Sequence, residues 1–293
     1  MDVFVRLLNV LLMVAMPLAL GVILARRSRV EWRTFLFGAG AFIGSQIFHL
    51  PFNSYVLSPL TEGLGLPGSG SGLPLLLFAI LFGLSAGVFE EVARYLVYRI
   101  WLRESRTKLD GLMFGAGHGG LESILLGGLA GLALFQAITY SNADLSAVVS
   151  ADQLDLARAQ LEAYWAAPWY VVLLSAAERL FTICFHLSAS LLVLQAFVRR
   201  NPAWLALAIG WHAFLDTAAV FALVTWGAYA MEGLVGLIAL LSLGIVYALW
   251  KQDGEELEVS SLPPVGRKFR EREPDIELEE LPEGRLEDSR YDS

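Results

Sequence analysis

Glu90 and Glu91 stand side by side in GVFEEVARYLVY, with Arg94 four residues after the first, inside an otherwise apolar run. FGAGHGGLES sets His118 and Glu122 four apart, and HAFLD sets His212 and Asp216 at the same interval. In ERLFTICFHLSAS, His186 lies midway between Thr182 and Ser190, again at four-residue steps. Residues four apart share a helix face, so each segment presents its polar groups together. A carboxylate held beside an imidazole takes a proton from water, and a second imidazole or acid supports the oxyanion that follows. The same residues also suit a metal. His118, His186 and His212 with a carboxylate make a zinc set that leaves a position for water. The residues alone leave hydrolysis without a metal and zinc-assisted hydrolysis equally open. With no serine-nucleophile motif and no paired GxGD-type aspartates, a serine or aspartyl mechanism is disfavoured.

The elements that must carry these groups are membrane-spanning helices. The chain of 293 residues is 56% hydrophobic and 17% charged, against about 45–50% and 25% for a soluble domain. Seven stretches reach the roughly 20 residues a bilayer requires: 3–25, 34–57, 73–101, 110–138, 168–198, 203–225 and 230–250. The expected fold is an all-α polytopic bundle of about seven spans. Basic clusters follow the first span (Arg26, Arg27, Arg29, Arg33), the third (Arg99, Arg103, Arg106, Lys108) and the fifth (Arg199, Arg200). Alternate crossings put all three on one side, which the positive-inside rule makes the cytoplasm, with the N-terminus outside and the C-terminus inside. At about 1.5 Å per helical residue, the seven acids and histidines all fall roughly 12–20 Å from the basic ends of their spans. An ionised group at such depth costs about 2.5–3.5 kcal/mol on insertion scales, so it is kept with partners or for a purpose. Their expected fate is a shared bundle interior or wet cavity.

The rest of the chain narrows the field. Residues 252–293 hold 14 acidic and 6 basic side chains, so the net charge of −8 belongs to this segment and 1–251 is neutral. The tail is expected to be disordered and cytoplasmic. Beyond the short basic clusters at the span ends there is no basic patch of the kind a nucleic-acid surface needs, which argues against nucleic acid. One cysteine, Cys184, permits no intrachain disulfide, and without CxxC a cysteine-rich zinc module is excluded. Residues 1–25 read as an uncleaved first span, because RRSR follows where a cleavage site would need small residues. LSPLTEGLGLPGSGSGLP reads as a flexible link, and 139–167 as an outer loop carrying an amphipathic helix anchored by Trp165, Trp169 and Tyr170.

These motifs resemble the YhfC family of bacterial membrane proteins, similar in turn to the CPBP group that contains the CaaX prenyl endopeptidases. The matching pieces are EEVAR (Glu90, Glu91, Arg94), FGAGH with GGLE (Phe114, His118, Glu122), FH (Phe185, His186) and HAFLD (His212, Asp216), in order across roughly residues 30–250. The resemblance implies an intramembrane peptidase of the bacterial inner membrane, glutamate-type or metal-dependent, cutting a membrane-embedded or lipid-anchored polypeptide near the cytoplasmic leaflet. It implies that Glu90 activates water with His118, while His212 and the residue four later polarise the scissile carbonyl. Two departures stand out. The group's Glu-Glu-x3-Arg is one residue shorter here, and Asp216 stands where relatives often have Asn. An ionised Asp216 would oppose an oxyanion, so it is either protonated or bound to something positive, which keeps zinc in view.

Other readings compete. A multi-pass transporter or proton relay uses intramembrane Glu/His chains as well, and the Gly-rich FGAGHGG would serve it as a helix break. Histidines on separate helices also permit haem ligation, although adjacent carboxylates suit it poorly. The Glu90–Arg94 spacing fits a structural ion pair. Glu122 either orients His118 or acts directly. His49, two residues before Pro51, is expected at a kink or cavity rim, and Glu178 with Arg179 as an interfacial pair. Oligomeric state is not legible.

Overall fold

The computed structural model describes residues 2–28, 30–66 and 68–260, and every regular element among them is helical. In chain order these are α1 (Asp2–Ser28), α2 (Trp32–Phe52), a π-helical turn (Asn53–Leu57) running into α3 (Ser58–Gly63), α4 (Gly72–Ile100), α5 (Lys108–Tyr140), a short 3-10 turn (Leu145–Ala147), α6 (Leu154–Ala166), α7 (Trp169–Val172), α8 (Leu174–Val198), α9 (Ala203–Trp226) and α10 (Ala228–Ser260). Among the described residues, seven helical stretches are long and apolar enough to cross a membrane, so this is a multi-pass membrane protein. Of the expected acidic, disordered tail, residues 252–260 are instead helical as the end of α10, and residues 261–293 lie outside the described residues.

Two further boundaries depart from expectation. The first half of the supposed flexible link is helical: the chain passes from α2 through the π turn into α3, and Ser58–Gly63 prolong the second span. Pro51 sits inside α2 just before that turn, where its missing N–H and ring loosen the i→i−4 ladder. The fifth span is broken at Leu173 into α7 and α8. The expected amphipathic helix is α6, and Arg6 of α1 ties it down by donating to the Tyr164 carbonyl and lying 4.7 Å over that residue's ring.

Local chemistry starts and seats the helices. Thr107 and Asp110 form a reciprocal capping box that satisfies backbone donors at the start of α5. Between α2 and α5 the backbones nearly touch: a Cβ on Gly38 would lie 2.1 Å from the Phe114 carbonyl oxygen, and one on Gly117 would lie 2.0 Å from that of Phe35. The same economy joins α4 to α9, where a Cβ on Gly87 would meet the Ile209 carbonyl at 2.6 Å. The glycines of FGAGHGG therefore seat neighbouring helices. They do not interrupt α5, which runs unbroken from Lys108 to Tyr140.

At the Arg/Lys-rich end the bundle is filled by a buried cluster that includes Val97, Tyr98, Leu102, Phe114, Leu191 and Leu194. Tyr98 stacks on Phe114 with centroids 4.7 Å apart, and Arg106 caps the plug from outside, 4.6 Å over Phe197.

Candidate functional site

Immediately beyond that plug, α4, α5, α8 and α9 bring their ionisable residues together. Adjacent helix residues differ by about 100° in direction, and this separates the two glutamates. Glu90 turns toward α2 and α5: Oε1 accepts from Gln46 Nε2 at 3.0 Å, and Oε2 lies 3.0 Å from His118 Nε2. Glu91 turns toward α9: Oε1 lies 2.7 Å from His212 Nδ1, and Oε2 lies 3.2 Å from Arg94 Nε. Glu91, Arg94 and His118 are wholly buried. Arg94 thus pairs first with Glu91. Its approach to Glu90, the partner expected from the four-residue spacing, is a longer 3.9 Å.

The rest of the Arg94 fork goes to α8. Nη1 donates to Ser190 Oγ at 2.6 Å, and Nη2 donates to His186 Nδ1 at 2.7 Å. Because a guanidinium only donates, His186 Nδ1 must accept, and Nε2 is left as the N–H that meets Glu122 Oε2 at 2.7 Å. Glu122 is therefore the partner of His186 and not of His118. Its other oxygen accepts from Arg179 Nη1 at 2.6 Å, and Arg179 also bonds Glu178. Arg179 is buried, which corrects its reading as half of an interfacial pair. A burial that deep is tolerable because two carboxylates surround the guanidinium.

His212 completes the arrangement. With Nδ1 on Glu91, its Nε2 lies 3.8 Å from Glu90 Oε2 and 3.7 Å from Asp216 Oδ2. A continuous chain of polar contacts thus runs Arg179–Glu122–His186–Arg94–Glu91–His212, with His186 and Arg94 as two basic groups in succession between the acids, and Glu90 with His118 stands beside it.

A cavity of about 280 Å³ opens against this chain, lined by Glu90, Glu122, Arg179, His186, His212 and Asp216 among others, with His49 on its rim. His118 is not in its wall and backs Glu90 from behind. The lining extends from Glu90, about 15 Å from the basic end of α4, to Glu178, about 30 Å from that of α8. The cavity consequently leads away from the Arg/Lys-rich face, which the apolar plug closes. On the rim, His49 Nε2 lies 2.9 Å from Asn53 Nδ2 in the π turn, and Asn53 Oδ1 accepts from Ser85.

The residue types fit a metal. Glu90, His118 and His186 each offer a ligand atom, all within 4.8 Å of one another, and one carboxylate with two imidazoles is a catalytic zinc set. His118 Nδ1 is buried with no hydrogen-bond partner among the described residues. His186 is less free, since Arg94 holds the lone pair on Nδ1 and would have to release it. His212, anchored on Glu91, stands outside this group.

Four helices of a multi-pass membrane protein thus converge on one buried acid–imidazole cluster that borders a polar cavity. The sequence profile of the YhfC intramembrane metalloprotease family matches residues 11–239, and the chain belongs to that family. YhfC of Bacillus subtilis (strain 168), described only as an uncharacterized membrane protein, is 40% identical over 168 residues, covering 54% of this chain and 63% of that relative. No solved structure matches the chain.

Proposed function

We propose that the protein is an intramembrane endopeptidase that hydrolyses a peptide bond of a membrane-embedded or lipid-anchored polypeptide in the bacterial inner membrane. The observation that carries this reading is the Glu90 carboxylate, 3.0 Å from His118 Nε2 and facing a polar cavity shared with His212 and Asp216. By the positive-inside rule the reacting layer lies in the cytoplasmic half of the membrane, while water reaches it from the opposite side.

The residues divide the work. Glu90, held by Gln46 and His118, takes a proton from a cavity water as its oxygen adds to the scissile carbonyl. His212 donates Nδ1–H to Glu91, which aims Nε2 into the cavity; as an imidazolium it carries a second proton there, and Nε2–H donates to the carbonyl oxygen as that oxygen gathers negative charge. Asp216 beside it, carrying a proton, donates to the same oxygen. The C–N bond then breaks, and the leaving amine receives the proton held by Glu90. His186 and Glu122, bracketed by Arg94 and Arg179, hold the cavity wall in register. If zinc is bound, Glu90 and His118 would hold it with His186, and it would supply Lewis-acid polarisation and a more acidic water.

The test uses purified protein in proteoliposomes with a panel of single-span reporter peptides that carry helix-breaking residues at different depths. Wild-type protein is expected to cut at least one reporter, and Glu90→Gln and His118→Ala are expected to insert normally and cut none. Cleavage by both variants at the wild-type rate would overturn the proposal.

A further inference from the structure

A second recess lies on the lipid side of the same wall. Between α8 and α10 a groove of about 680 Å³ is lined by Leu180, Phe181, Cys184, Glu232, Gly236 and Leu240, among others. Its size falls within the roughly 300–1,000 Å³ of ligand clefts. The groove and the catalytic cavity are back to back: Arg179 and Thr182 of α8 and Val235 of α10 face the cavity, while Leu180, Phe181 and Gly236 beside them face the groove. The partition is thin. Phe181 packs over Gly236, its ring 3.3 Å from where a Cβ would be, and Val235 joins Phe185, Leu215 and Ile238 in a small apolar cluster. At Gly233 the groove floor is open, with nothing within 4 Å of an added Cβ.

Glu232 says what the groove would hold. The residue is more than nine-tenths buried, and its Oε2 has no partner among the described residues. An acyl chain offers a carboxyl group nothing, and leaving such a group unsatisfied is costly. A locally unwound polypeptide offers backbone N–H donors, which are also the groups that a segment must expose before it can be hydrolysed.

We propose that the α8–α10 groove receives the membrane-spanning segment of a polypeptide substrate, that Glu232 accepts N–H groups where the segment unwinds, and that Phe181 and α10 yield to pass it to Glu90. This rests on the peptidase reading and names its route of access. Cys184, the chain's single cysteine, lies in the groove and serves as the probe.

Reporter peptides carrying one cysteine at successive positions are incubated with Glu90→Gln protein under mild oxidation. A disulfide to Cys184 is expected at positions on one face near mid-span, absent in Cys184→Ser, lost in Glu232→Leu and kept in Glu232→Gln. In the cleaving enzyme, Gly233→Phe, which fills the groove, is expected to lower the rate at least 10-fold. Gly210→Phe, on an open face of α9, leaves it unchanged. Cleavage with no cross-link and no effect of Gly233→Phe overturns the groove and spares the peptidase. A cross-link without any cleavage overturns the peptidase and leaves the groove as a binding surface. Lipid alone in the groove by native mass spectrometry, with no peptide cross-link, overturns the proposal.

Discussion

Gly119→Ala tests whether the placement of one imidazole governs the reaction. A Cβ at this position would lie 2.4 Å from His186 Cδ2 and 2.8 Å from Cγ. Carbon atoms rest about 3.5 Å apart or more, so the ring must retreat by roughly 1 Å. His186 is held on both sides, by Arg94 at 2.7 Å and by Glu122 at 2.7 Å. A retreat of that size carries at least one of these bonds past the roughly 3.5 Å at which a hydrogen bond ceases to count. The stranded group costs about 1–3 kcal/mol, against a helix-propensity gain of about 1 kcal/mol for alanine over glycine. Stability should therefore fall by no more than about 2 kcal/mol, while a 1 Å misplacement near the chemistry costs about 100-fold in rate. The assay pairs initial rates of reporter cleavage in proteoliposomes with thermal unfolding in detergent. Gly128→Ala, where nothing lies within 4 Å of the added carbon, is the matched control and should cleave normally. A Gly119→Ala protein that cleaves at the wild-type rate would show that His186 need not sit where it does.

Three further outcomes are expected. Arg179→Leu should lower the rate by about 10–100-fold with KM little changed, since it frees Glu122 from one side, and Arg179→Lys should fall between; an unaltered rate would return Arg179 to a structural role. Asp216→Asn should retain cleavage because the amide still donates to the carbonyl oxygen, whereas Asp216→Leu should lose it; comparable losses in both would argue that the acid itself is required. Purified protein is expected to carry zinc by elemental analysis, with less in Glu90→Gln and His118→Ala, and a chelator should slow the wild type; full activity in metal-free protein would leave Glu90 and the histidines to act alone.

The amino-acid pattern exposes the layer but not its wiring. Apolar runs and basic clusters are local properties, and the common depth of Glu90, His118, His186 and His212 follows from counting along helices. The bonds that matter join residues far apart in the chain: Arg94 to His186, Glu91 to His212, Arg179 to Glu122. Which of two adjacent glutamates meets which histidine depends on helix rotation, and that is set by contacts such as Gly87 against Ile209. Arg179 did carry a signal. It lies three residues before Thr182 and seven before His186, on the same face, and distance to the helix end obscured this. Glu232 carried one too, as a single acid in an apolar span. Ser190 shares a helix face with His186 by spacing, but its bond to Arg94 is not legible, and Gln46 announces nothing, because uncharged polar residues are common in such helices.

The plug formed by Tyr98, Phe114 and their neighbours has an electrical consequence. If the chamber above it is filled with water, that water shares the potential of the solution on the side away from the Arg/Lys-rich face, and the membrane voltage drops across the dry layer beneath. A voltage of 100 mV is worth about 2.3 kcal/mol for each charge that crosses it. The proton that Glu90 takes from chamber water and passes to the leaving amine therefore does not cross that layer, and each turnover leaves the ion gradient of the cell undisturbed.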